Sequence, residues 1–170
     1  MAARTAEARD RLKKDLTRRH WEKRYLALVR GEFVGEELIT VPLAHAPGDR
    51  KKMCIVSAQG PPPRGRVYRG ETRVRPRRHW PQGTLVEVDL VTGVTHQIRV
   101  HLAGRGHPII GDRLYGPADK PCPALPAGRH FLHAFHIALP HPVTREILVC
   151  TSPLPGDLQR VLDSWGPPLD

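Results

Sequence analysis

Three observations predict an α+β fold, a mixed and largely antiparallel sheet with flanking helices. Strand-length apolar runs recur between Trp21 and Cys150. Helical apolar patterns stand near both ends and after Thr95. Strands and helices mix without the strict alternation that a doubly wound parallel sheet requires.

The elements follow in order. Ala2 to about Arg18 reads as a helix, with Ala8, Leu12 and Leu16 as one narrow apolar stripe that must dock on something larger. Trp21–Val29 reads as a strand with Lys23, Tyr25, Ala27 and Val29 on one face and Leu26 and Leu28 on the other. Gly31 and Gly35 flank a turn, and Glu37–Val41 and Met53–Ser57 are short strands. The Gly60–Pro63 run is a loop, and Val67–Arg75 alternates again. Thr84–Val91 is the clearest strand, with Val86, Val88 and Leu90 on one face. From Thr92 the pattern favours strand, turn and helix: Ile98 and Leu102 stack four apart, Thr95 is a fitting N-cap, and Gly104 or Gly106 ends the helix. Residues 105–128 form a Gly- and Pro-rich loop. Phe131–Leu139 and Glu146–Cys150 read as strands, and about 156–165 as a helix with Leu158, Val161, Leu162 and Trp165 on its apolar face.

The length of 170 residues suits a single domain, and 39% hydrophobic residues suffice for a core. No apolar run approaches the ~18–20 residues of a membrane span, so no membrane partner is expected. Lys and Arg total 27 against 17 Asp and Glu, a net charge of +10. Such an excess favours a polyanionic partner, above all nucleic acid. Cys54, Cys122 and Cys150 are widely spaced. Cys54 and Cys150 read as reduced core residues of an intracellular, cytoplasmic-type compartment. Glu7, Asp10 and Asp15 interrupt the basic N-terminus, so it reads as no targeting signal.

Arg99 is the chemical oddity. On the helical reading it lies near a helix N-terminus, where the dipole is already positive. Either an anion, a phosphate or a carboxylate, sits between Arg99 and the free backbone amides, or Arg99 pairs with a surface acid such as Glu87 or Asp89. Residues 64–78 hold seven arginines. Arg69, Arg73 and Arg75 would share a strand face, followed by Arg77 and Arg78. This is either a stripe that tracks a nucleic-acid backbone, with Tyr68 and Trp80 near for stacking, or a solvated edge guarded by charge. Seven histidines fall between His96 and His141. Their spacings suit no metal ligand set, so no metal is expected.

The run from Val88 to Gly116, with Thr92-Gly-Val-Thr-His-Gln-Ile-Arg99 at its centre, strongly resembles the RluA-type RNA pseudouridine synthases. Lys23-Arg-Tyr25 resembles the family's Lys-x-Tyr strand, Arg69-Gly-Glu-Thr72 its central strand, and Leu132-His-Ala134 with His141-Pro142 its last motif. The likeness spans about residues 5–155. It implies isomerisation of uridine to pseudouridine in rRNA or tRNA, with no cofactor. It implies Tyr25 against the flipped base, Arg99 as the cation that holds a nucleophilic aspartate, and Lys23, His96, Gln97 and His101, with the arginines above, as RNA contacts. The family's aspartate stands in a His-Arg-Leu-Asp motif ahead of the Lys-x-Tyr strand, and Arg11–Asp15 is only a superficial echo of it. The chain therefore reads as one partial catalytic domain, resembling the family's C-terminal half, inactive alone. Its partner would be an N-terminal half or a second copy. The alternative is a non-catalytic RNA-binding protein derived from the same fold. With Arg99 waiting for an absent carboxylate, Arg99→Leu is expected to leave folding nearly untouched.

Overall fold

A computed structural model describes residues 3–18, 20–57, 63, 65–117 and 122–169. Most of the Gly60–Pro63 loop, and Arg64, lie outside these. The element order is α1 (Ala6–Thr17), β1 (Glu22–Arg30), β2 (Glu37–Ile39), β3 (Leu43–Ala46), β4 (Asp49–Ile55), β5 (Thr72–Trp80), β6 (Gly83–Leu90), α2 (Gln97–Gly104), β7 (Leu132–Pro140), β8 (Ile147–Thr151) and α3 (Gly156–Ser164). Six strands form one sheet in the order β2-β5-β6-β1-β7-β8, and β3 and β4 form a separate hairpin. Every pairing between these strands is antiparallel. The α+β expectation holds.

β1 lies near the middle of the sheet because its sequence allows burial on both faces. Ala27, Leu28 and Val29 are consecutive and all fully buried. The main core gathers them with Val74, Val86, Val88, Ile98, Leu102, Phe131 and the α3 residues Leu158, Val161 and Leu162. Trp165, just past α3, meets Trp80 edge to face at 6.0 Å. Gly83 is where β6 meets β1 most tightly, since a Cβ there would lie 2.1 Å from the Val29 carbonyl oxygen. A second, smaller core of Leu43, Met53 and Val100 ties the hairpin to α2.

Several expectations are corrected. α1 does not dock through its apolar stripe, and Leu16 stays 44% exposed. Its one buried residue is Asp15, which accepts two hydrogen bonds from Arg145, while Arg11 Nη1 donates to the Pro142 carbonyl. The strand expected from Val67 starts only at Thr72. Tyr68 instead exchanges two backbone bonds of 2.8 Å with Leu43. Gly70 permits this path, because a Cβ there would stand 2.7 Å from both His101 Nε2 and the Val41 oxygen. Pro76, which has no N–H, sits at a register shift in β5. The α2 N-cap is His96 rather than Thr95. Cys150 is not a core residue: it is exposed on β8, and Cys54 is half-buried. The reason is β8's place at the sheet edge, where all five of its residues are exposed.

Candidate functional site

The turn between β6 and α2 is organised by Gln97. Its side-chain Oε1 accepts from Val94 N–H at 3.0 Å and from the Thr92 hydroxyl at 2.8 Å. Its Nε2 donates to the Glu71 carbonyl at 2.9 Å and to Thr72 Oγ1 at 2.8 Å. A buried amide with all its groups engaged fixes the loop against β5. Thr72 passes the chain on to His101. Val41 O can only accept, so His101 Nε2 carries the proton toward it at 3.1 Å, and Nδ1 accepts from Thr72 at 2.9 Å. Burial holds the His101 pKa below its usual value, so the ring is neutral. Gln97 and His101 were expected to contact RNA. With exposures of 2% and 0% they cannot, and they act as internal supports for α2.

Arg99 finds its anion within the chain, and it is neither Glu87 nor Asp89. Nε donates to Asp112 Oδ2 and Nη2 to Oδ1, both at 2.7 Å. Asp112 Oδ1 also accepts from the Leu114 and Tyr115 amides. Burial alone would raise the Asp112 pKa; the Arg99 bonds and these amides outweigh it and hold it below the usual carboxylate range. The Arg99 pKa is raised by the same hydrogen bonds. The guanidinium lies 5.0 Å from the Tyr115 ring centroid. Asp112 thus fixes one edge of Arg99 and Tyr115 one face, while Nη1 keeps no hydrogen bond among the described residues.

Tyr115 also reaches His96. Its hydroxyl accepts from Met53 N–H at 2.9 Å, which leaves its own proton for His96 Nδ1 at 2.9 Å. His96 is therefore a neutral ring with the proton on Nε2. Burial, then the Arg99 charge, lowers its pKa. It has φ of 56°, a strained conformation for a residue with a Cβ. Strain of this kind concentrates at functional sites.

On β1, Tyr25 stands opposite Val88 and Ala134 and packs against the main core. Burial raises its pKa, so the phenol is protonated at neutral pH. Lys23 lies two residues away against Gly93, 3.4 Å from where a side chain there would begin. Burial lowers the Lys23 pKa, and no carboxylate pairs with it among the described residues.

The arginine stripe is internally compensated. Arg73 meets Glu36 at 2.7 Å, and Arg75 meets Asp89 at 2.7 Å and Glu36 at 3.3 Å. Arg77 Nε donates to Glu87 at 3.0 Å, and Arg69 pairs with Glu71 at 2.6 Å. Arg78 is exposed and makes no such pair among the described residues. The run of arginines is plain in the sequence, whereas Glu36 and the β6 acids Glu87 and Asp89 meet it only in the fold. Asp112 and Tyr115 were missed as site residues, although a cation at a helix N-terminus was a signal that an acid must stand near. Among the described residues no group of three or more His, Cys, Asp and Glu is placed to hold a metal ion.

The family model described as RNA pseudouridylate synthase matches residues 1–104. A ribosomal large subunit pseudouridine synthase D of Nitrosomonas europaea is 36% identical over 96% of this chain and 46% of its own length. An uncharacterized RNA pseudouridine synthase of Chloroflexus aurantiacus is 42% identical over 85% of this chain and 42% of its own length. The solved structure of human RNA pseudouridylate synthase domain containing 1 superposes with a TM-score of 0.75 at 27% identity, covering 90% of this chain and 62% of that one. The chain spans less than half the length of these two curated relatives. Motif, fold and family model converge: the chain belongs to the RNA pseudouridylate synthase family.

Proposed function

We propose that this chain supplies the Tyr25 and Arg99 side of an RNA uridine isomerase, acting on rRNA or tRNA without a cofactor. The carrying observation is Arg99, held at two points by Asp112 and on one face by Tyr115, with Nη1 left without a hydrogen bond among the described residues. In the reaction the N1–C1′ bond of uridine breaks and a C5–C1′ bond forms. C5 loses its hydrogen to solvent and N1 gains a proton, so the step is an isomerisation with no redox change. Tyr25, protonated and half-buried, suits a role against the flipped base. Lys23, His96 and Arg78 are the RNA contacts this reading keeps from the sequence. Arg69, Arg73, Arg75 and Arg77 fit it only by exchanging an acid for a phosphate. The three free cysteines suit a reducing compartment.

The sequence holds no His-Arg-Leu-Asp motif, so this stretch of chain alone is expected to bind RNA and not to isomerise it. A tritium-release assay on RNA carrying 5-labelled uridine tests this directly. Release by the isolated chain would mean that another carboxylate serves as nucleophile. Release only after a second polypeptide with that motif is added would support the two-part reading. A second reading, a non-catalytic RNA-binding protein, is favoured by the same missing motif, and it predicts RNA binding with no release under either condition. If the chain fails to bind RNA even at low salt, both readings fail.

A further inference from the structure

We propose that the β3–β4 hairpin, with the segment that crosses it at Arg66–Tyr68, is a docking arm for single-stranded RNA flanking the reacting uridine. This rests on the RNA reading above and adds a surface that the family motifs did not point to.

Charge bookkeeping motivates it first. The chain carries +10, yet Arg73, Arg75 and Arg77 of β5 are met by Glu36 and by the β6 acids Glu87 and Asp89. Lys51, Lys52 and Arg66 have no acidic partner among the described residues. The β3–β4 register pairs Ala46 with Asp49 and then His45 with Met53, so residues 50–52 bulge out of the ladder. The sequence there is Arg50-Lys51-Lys52. Lys51 and Lys52, neighbours on this bulge, form a compact electrostatic contact for a phosphate backbone.

The second observation is a layered stack. Tyr68 packs its ring into the smaller core, beside Leu43, Met53 and Val100. The Arg66 guanidinium lies over that ring, 5.1 Å from its centroid, and the His45 ring meets it edge-on at 6.4 Å. Tyr68 is thus a pedestal, and the Arg66 guanidinium above it is exposed. A flat, weakly hydrated guanidinium offers its outer plane to an unstacked base. A third observation ties the arm to the site. The Met53 amide of the hairpin donates to Tyr115, the residue that braces both Arg99 and His96. The hairpin is therefore fastened directly to the residue that braces the Arg99 site.

The test is anisotropy of a labelled single-stranded RNA of about 20 nucleotides, and of a duplex of the same length, across a salt series. Lys51→Gln with Lys52→Gln should lower the log–log salt slope on the single strand by about 1.4, at about 0.7 per phosphate. Arg66→Lys keeps the charge and loses the plane. It should weaken single-strand binding about fivefold, leave the slope unchanged and leave duplex binding unchanged. Arg160→Gln on α3, a cation remote from the hairpin in sequence, should change nothing. Wild-type binding with a slope untouched by the lysine pair would overturn the arm and leave the RNA reading standing. Equal loss on single strand and duplex for Arg66→Lys would overturn the stack. Absence of wild-type RNA binding would overturn the RNA reading itself.

Discussion

The Arg99 guanidinium and the Asp112 carboxylate meet at two points, each 2.7 Å, with the Asp112 side chain wholly out of solvent. The pair joins the start of α2 to the Gly111–Gly116 turn. Removing one partner would leave the other charge buried and uncompensated, at a cost of about 3–5 kcal/mol. Arg99→Leu is therefore expected to destabilise the fold strongly, which reverses the expectation that folding would be nearly untouched. Urea unfolding reads it, and a midpoint equal to wild type would show that the Asp112 pair adds nothing to stability. The pair also sets an acid limit. The folded Asp112 pKa lies below its unfolded value of about 3.9, so its stabilisation is complete above that value. It is lost as pH falls through the lowered folded value.

His101 gives a second, milder pH dependence. Its folded pKa is depressed by burial, whereas the unfolded ring titrates near 6.5. Between the two values the unfolded chain binds the extra proton. The His101 contribution is thus fully present above about 6.5 and lost as pH falls through the folded value. In an NMR titration the His101 ring should stay neutral at a pH where an exposed histidine is already half protonated. Coincident titration curves would contradict the Thr72–His101–Val41 chain.

Glu87 is the hub of the charged sheet face. Its side chain is 5% exposed, and Arg24, Arg75 and Arg77 all approach it. Because those arginines are 32–51% exposed, solvent screens part of the interaction. Glu87→Gln should cost about 1–2 kcal/mol rather than the full penalty of a broken buried pair. It should also release guanidinium charge, so RNA affinity at low salt should rise and its salt dependence should steepen. Weaker RNA binding by a folded Glu87→Gln protein would show that compensation by Glu87 is not what restrains these arginines.

The legible part of the fold was what periodicity encodes. The β1 and β6 strands, the α2 helix ended by Gly104 and the α3 apolar face were each readable from a dozen residues or fewer, although β1 and β6 are buried on both faces where alternation predicts one. Long-range choices were not. Tyr68 pairing with Leu43 instead of extending β5 depends on clearance over His101 at Gly70, which no local pattern records. The same holds at the site. Tyr25 and Arg99 came from a motif, whereas Asp112, 13 residues from Arg99, became its partner only through the turn that returns it to α2. Gln97 and His101 are expected at the RNA from their motif, because a motif shows residue type and not burial.

The β8 edge carries the last expectation. Ile147, Leu148 and Val149 are 64%, 42% and 58% exposed, and β8 has β7 on one side only. Neither proline nor charge interrupts Ile147–Thr151, so the strand lacks the usual guards against pairing with another chain. We expect concentration-dependent association through this edge, visible as a rising average mass in sedimentation over roughly 10–100 μM. Val149→Lys places a charge in the middle of the strand and should hold the protein monomeric, with little change in thermal stability, because Val149 buries little. Association that persists unchanged in Val149→Lys would move the contact away from β8. A wild-type protein that stays monomeric throughout would mean that the bare edge is tolerated in solution.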